Sequence, residues 1–109
     1  MRAAVIAYTV NGAILAEKLR HLSDDETDIY VSAKSAKYID AENIITFKST
    51  PALIRDIFYQ YEGIIFIGAA AIAVRSIAPY ITSKFKDPAV LVMDLSLIHI
   101  SEPTRLQLI

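Results

Sequence analysis

The sequence has no cysteine and no tryptophan among its 109 residues, and only three glycines, four prolines and two methionines. Without cysteine there is neither a disulfide framework nor a thiolate metal site, a composition that suits a reducing compartment. Neither sign of charge dominates: 11 lysines and arginines stand against 12 aspartates and glutamates, for a formal charge of −1. A basic stripe that could track a phosphate backbone is missing, so nucleic acid is not an expected partner. No uncharged apolar run approaches the roughly 20 residues that a membrane-spanning helix needs. Gly63–Val74, "GIIFIGAAAIAV", is far shorter and reads as a buried strand entering a helix. The opening "MRAAVIAYTV" runs into Asn11-Gly12 and then Glu17, Lys18 and Arg20. With no small-residue cleavage site it reads as a buried first strand, not an export signal. No membrane partner and a cytoplasmic location are the expectations.

What is present is a core-forming chain, 54% hydrophobic and 21% charged. That is enough apolar side chain for one small domain, alone or as part of a larger protein. Ala3–Tyr8, Asp28–Ser32, Asn43–Phe47, Ile64–Ile67 and Ala89–Met93 read as strands, most of them apolar throughout, as in a sheet covered on both faces. Ile14, Leu15, Leu19 and Leu22 recur at helical spacing behind a cap at Thr9 or Asn11. Leu53, Ile54, Ile57, Phe58 and Tyr61 form a second helical face behind Ser49 or Thr50 and Pro51, with Gly63 as its expected terminator. Ala69–Ala78 continues as helix until Pro79 interrupts it. Ala33–Asp40 is lysine-containing and weakly patterned, without a clear element. The alternation predicts an α/β fold: a three-layer sandwich around a mainly parallel sheet of four to five strands, Rossmann-like or flavodoxin-like.

Such sheets bind ligands beyond the C-terminal ends of their strands. Two turns fall on that edge. Thr9-Val10-Asn11-Gly12 offers small polar residues and backbone N–H groups to a carboxylate or phosphate, or serves only as a cap and tight turn. It lacks the dinucleotide GxGxxG spacing and the P-loop lysine. Gly68-Ala69-Ala70-Ala71 has side chains small enough for a ligand, or simply a packed helix, to approach the backbone. Arg75, inside an otherwise apolar helix, either snorkels to water or holds a carboxylate in its guanidinium fork. Lys84, Lys86 and Asp87 surround the next turn, where charge is ordinarily solvated. No catalytic triad and no metal-ligand spacing is visible, and no protein-held metal or cofactor is expected.

Taken together, "FIGAAAIAVRSIAPYITSKFKDPAVLVMD" resembles the N-terminal region of the cobalamin biosynthesis protein G family, the cobalt-precorrin-5A hydrolases. The resemblance rests on Ile72, Val74, Arg75, Ile77, Ala78, Pro79, Lys84, Asp87, Pro88, Ala89, Val90 and Asp94. The opening "AVIAYTVNGAILAEKL" is also similar to that family's start. The resemblance implies an enzyme of anaerobic vitamin B12 synthesis that opens the ring-A δ-lactone of cobalt-precorrin-5A and releases acetaldehyde, giving cobalt-precorrin-5B. It implies a tetrapyrrole substrate that brings its own cobalt, with Thr9, Asn11, Gly12, Gly68, Ala69, Arg75, Lys84 and Asp87 as expected binding residues. Catalytic residues are not implied. The family has glycine where this chain has Ala71.

The alternative is a non-catalytic α/β module that takes a small anionic ligand at the same two turns. Residues 1–94 are expected to form the N-terminal α/β domain, inactive without the downstream domains of the same polypeptide. Leu95–Arg105, "LSLIHISEPTR", looks like a translated sequencing adaptor, so residues 95–109 are expected to be a non-native tail.

Overall fold

The computed structural model describes residues 2–22, 26–39, 43–68, 70–80 and 87–93. Five strands, β1 (Arg2–Ala7), β2 (Glu26–Ser32), β3 (Ile44–Phe47), β4 (Gly63–Ile67) and β5 (Ala89–Met93), alternate with helices α1 (Val10–Leu22), α2 (Ala33–Ala36), α3 (Thr50–Ile57) and α4 (Ala70–Ile77). The strands form one sheet in the order β3-β2-β1-β4-β5, and every neighbouring pair is parallel. This is the α/β sandwich that the alternating pattern predicts.

Side chains leave each strand to opposite faces in turn, and two cores result. Ala4 and Ile6 of β1 join Leu53, Ile54, Ile57, Phe58, Ala73 and Ile77 beneath α3 and α4. Val5 and Ala7 join Ala13 and Ala16 of α1, with Ile29, Val31 and Ile67, on the other face. Small alanines let α1 lie close on the sheet, while α3 and α4 rest on larger side chains. Phe58, Phe66 and Ile6 are among the largest fully buried residues, and each such side chain stabilises the fold by about 1.5–3 kcal/mol through burial.

Several boundaries differ from the sequence reading, each for a local reason. β2 begins at Glu26, not Asp28, because the ladder extends down to the pair Arg2 and Glu26, whose side chains also form an ion pair at 3.6 Å. Gly63 does not end α3. The helix stops at Ile57, the Gln60 N–H closes a turn onto the Ile57 carbonyl, and Gly63 opens β4 opposite Ala3 and Ala89. Ser49 caps α3 by accepting the Ala52 N–H at 3.5 Å, and Pro51 sits in the first turn, where its missing donor costs nothing. The stretch without a clear pattern contains α2. After Ile77 the chain tightens into a 3-10 turn, Ala78–Tyr80, at Pro79. The Lys84 turn and residues 94–109 lie outside the described residues.

Candidate functional site at the sheet switch point

β1 is where the chain reverses direction across the sheet. From β1 it proceeds outward to β2 and β3 with α1 and α2 on one face, then returns to β4 and β5 with α3 and α4 on the other. A crevice opens where neighbouring strands send their chains to opposite faces. Here those strands are β1 and β4, whose last paired residues are Ala7 and Ile67. The turns that follow, at Thr9 and Gly68, therefore stand side by side.

The first turn is built around Thr9. Its Oγ1 accepts the Gly12 N–H at 3.0 Å, and its carbonyl accepts the Ala13 N–H at 2.9 Å. Thr9 is thus the cap, and the Gly12 amide is committed to it. Space at position 12 is tight: a Cβ there would lie 3.2 Å from Thr9 Oγ1 and 3.3 Å from Ile67 Cγ2, so both neighbours would have to give by a few tenths of an ångström. Asn11 is exposed beside it.

The second turn is built around Gly68, which has φ +86° and nothing within 4 Å of where a Cβ would stand. That backbone conformation favours glycine, and the space around it is open. The Gly68 N–H is donated to the Met93 carbonyl at 2.6 Å, tying the turn to the end of β5. Both α1 and α4 begin at this edge, and neither has an acidic residue in its first turn. Two positive dipole ends consequently face one crevice, an arrangement that favours an anion.

Tyr8 supports this edge and was not singled out by sequence. Its hydroxyl meets Thr50 Oγ1 at 2.8 Å, its ring stands edge-on to Phe47 at 5.6 Å, and its carbonyl accepts the Ser35 hydroxyl at 2.8 Å. One residue thus joins β1 to β3, α2 and the start of α3. Burial holds the Tyr8 phenol above its ordinary pKa of 10.0, and the Thr50 bond works against that shift.

The other expected binding residues are dispersed. Arg75 is exposed and lines a shallow groove of about 270 Å³ on the helical layer, with Pro51, Ile72, Ser76, Pro79 and Tyr80. Asp87 is half-buried two residues before β5. β5 starts opposite the start of β4, so Asp87 belongs to the N-terminal edge, about 15 Å of strand away from Gly68. The structure therefore brings Thr9, Asn11, Gly12 and Gly68 together and leaves Arg75 and Asp87 apart from them. Ala69 and Lys84 lie outside the described residues. Among the described residues, no group of three or more His, Cys, Asp or Glu is placed to hold a metal ion, and no helix is long and apolar enough to cross a membrane.

The N-terminal edge carries a different arrangement. The Tyr61 hydroxyl donates to Asp28 Oδ2 at 2.6 Å. The Tyr30 hydroxyl lies 2.7 Å from it, and must be the donor in that pair, because Tyr61 has one proton to give. Arg2 sits 4.7 Å over the Tyr61 ring, reaches Asp28 Oδ2 at 3.4 Å and donates to the Gln60 carbonyl at 3.2 Å. Burial first, and the bond to Asp28 second, push the Tyr61 phenol far above 10.0.

Comparison with known proteins bears on what the crevice serves. Residues 52–100 match the family described as Cobalamin synthesis G N-terminal. The chain is 35% identical over 92 residues to a cobalt-precorrin-5A hydrolase of Salmonella typhimurium, covering 84% of this chain and 24% of the relative. It is 37% identical over 93 residues to a cobalt-precorrin-5A hydrolase of Priestia megaterium, covering 84% and 25%. The chain thus spans about a quarter of the length of the curated relatives it matches. No solved structure matches it. That family match, and the two relatives aligned over most of its residues, make the chain similar to the cobalamin synthesis G N-terminal family.

Proposed function

We propose that this chain is the N-terminal domain of a cobalt-precorrin-5A hydrolase acting in cobalamin biosynthesis in the cytoplasm. The observation that carries the reading is its 35% and 37% identity to two proteins of that name over 84% of its length. The reaction adds water to the ring-A δ-lactone and releases the extruded two-carbon unit as acetaldehyde, leaving cobalt-precorrin-5B. The substrate is a tetrapyrrole fringed with carboxylates that carries its own cobalt, so the protein supplies no metal.

The switch-point crevice suits that substrate chemically. Two helix N-termini favour a carboxylate, or the oxyanion of an opening lactone, at the ring edge. Gly68 lets a flat ring approach the backbone without a side chain in the way. Thr9 and Gly12 shape the opposite wall, and Asn11 offers a side-chain amide. Arg75 offers a cation to a peripheral carboxylate from the helical layer. The remaining catalytic groups come from the downstream part of the polypeptide, so this chain alone binds without turnover.

The test is a titration of cobalt-precorrin-5A into the 109-residue chain, followed by visible absorbance, beside acetaldehyde release by the intact Salmonella typhimurium relative. The expected result is a spectral shift without acetaldehyde for the chain, and lowered affinity when the position equivalent to Arg75 is made alanine in the relative. Unchanged affinity and turnover would remove Arg75 from the site. Binding of simple dicarboxylates, with none of the tetrapyrrole, would replace the hydrolase reading by that of an anion-binding module.

A further inference from the structure

α1 has two unlike flanks. On one, Glu17 and Arg20 form an ion pair, and the Arg20 guanidinium donates to the Asn43 carbonyl at 3.3 Å. Asn43 immediately precedes β3, so this flank faces the β2–β3 side of the sheet. Leu15, Leu19 and Leu22, spaced i, i+4 and i+7, fall on the opposite flank. That flank faces β4 and β5. Leu15 and Leu19 are half-buried, whereas Leu22 is 84% exposed.

The sheet beneath that flank is also only partly covered. α1 packs on β1 and β2, α2 on β2 and β3, and α4 on β4 and β5 from the other face. Ile65 of β4 belongs with the α1-side core. Leu91 pairs with Ile65, and Met93 with Ile67, so both point to the same face. All three are half-buried, although Val5, Ile29 and Val31 on that face are closed off completely. Leu15, Leu19 and Leu22 thus form one wall, and Ile65, Leu91 and Met93 the floor, of an apolar trough that no helix among the described residues fills. A parallel sheet is ordinarily covered on both faces.

We infer that this trough is the seat of an amphipathic helix supplied in cis by the polypeptide that follows β5 in the longer relatives. Two observations choose that occupant over a foreign partner. The relatives are about four times the length of the matched stretch. In addition, a chain leaving Met93 at the C-terminal edge reaches the trough directly, and a helix of about 13 residues running back beside α1 covers its length, roughly 20 Å. Its apolar stripe would meet the leucines, and its polar face would look to water. The inference is independent of the hydrolase reading, because its test measures folding.

The test joins residues 1–94 to the stretch that follows the equivalent position in the Salmonella typhimurium relative, and compares that protein with the 109-residue chain. The expected result is a Tm higher by about 4–8 °C, with hydrogen exchange slowed in β5 and the last turn of α1. Leu22→Glu, at an exposed position that the fold tolerates, removes most of that gain and leaves the unextended chain within about 0.5 kcal/mol of its stability. If the joined protein does not fold, the same stretch added as a synthetic peptide must give the same protection in trans. Equal exchange rates with and without the stretch would overturn the inference. So would equal effects of Leu22→Glu on both proteins, or a dimer of the unextended chain that Leu22→Glu dissociates, since a second copy would then occupy the trough.

Discussion

The two ends of the sheet are built from opposite materials. At the N-terminal edge, Arg2, Asp28, Tyr30 and Tyr61 satisfy one another through hydrogen bonds, an ion pair and a cation above a ring. At the C-terminal edge, the Gly68 turn leaves open space beside the closely packed Gly12 turn, and two helix N-termini face outward. A network whose donors and acceptors are already matched has little left for a ligand, whereas an unfilled edge of the same sheet does. Rigidity is concentrated at one end and receptivity at the other.

The largest break in that contrast is expected from Tyr61→Ala, which removes a buried ring together with the hydroxyl that bonds both Asp28 and Tyr30. It should destabilise the fold by about 3–5 kcal/mol in chemical denaturation, with no specific effect on ligand affinity beyond the loss of folded protein. Gly12→Val should follow at about 1–3 kcal/mol, because the new side chain crowds Thr9 and Ile67, which must give way. Unlike Tyr61→Ala, it should also weaken binding at the crevice in protein that remains folded.

Tyr61→Phe is gentler and sharpens the comparison through pH. Tyr61 is held protonated in the fold well above its ordinary value of 10.0. The unfolded chain therefore releases that proton first as pH rises, and stability present below pH 10 declines above it. Tyr61→Phe should cost about 1 kcal/mol at neutral pH and flatten the loss between neutral and strongly alkaline solution, as read from denaturation midpoints. Gly68→Ala should cost about 1 kcal/mol from its positive φ alone, since no atom obstructs the added methyl. The smallest effect on stability belongs to Arg75→Ala, within about 0.5 kcal/mol for an exposed side chain. Its readout is affinity.

The fold was legible because parallel strands covered on both faces leave solid apolar runs, and "AVIA", "IIFI" and "AVLVM" are such runs. The sequence also offered Thr9 or Asn11 as the cap and put the Thr9 and Gly68 turns on one edge, once the strands were taken as parallel. Which residue caps, and that the turns are neighbours, came from the hydrogen bond to Gly12 and from the strand order. The dispersal of the remaining residues did not. Arg75 and Asp87 look close to Gly68 in the chain, but a helix carries one along the outer layer and a returning connection delivers the other to the far edge. Tyr8 escaped notice because its partners Ser35, Phe47 and Thr50 lie far away in sequence. The Tyr30–Tyr61–Asp28 chain escaped for the same reason: nothing local marks a phenol whose acceptor is more than 30 positions distant.

The bond from the Gly68 amide to the Met93 carbonyl makes the crevice wall and the outermost strand a single thermodynamic unit. β5 is an edge strand, held by β4 on one side only. Whatever steadies it also narrows the range of positions open to the Gly68 turn. Reciprocity requires the converse: a ligand that selects one position of that turn must tighten β5 by the same free energy.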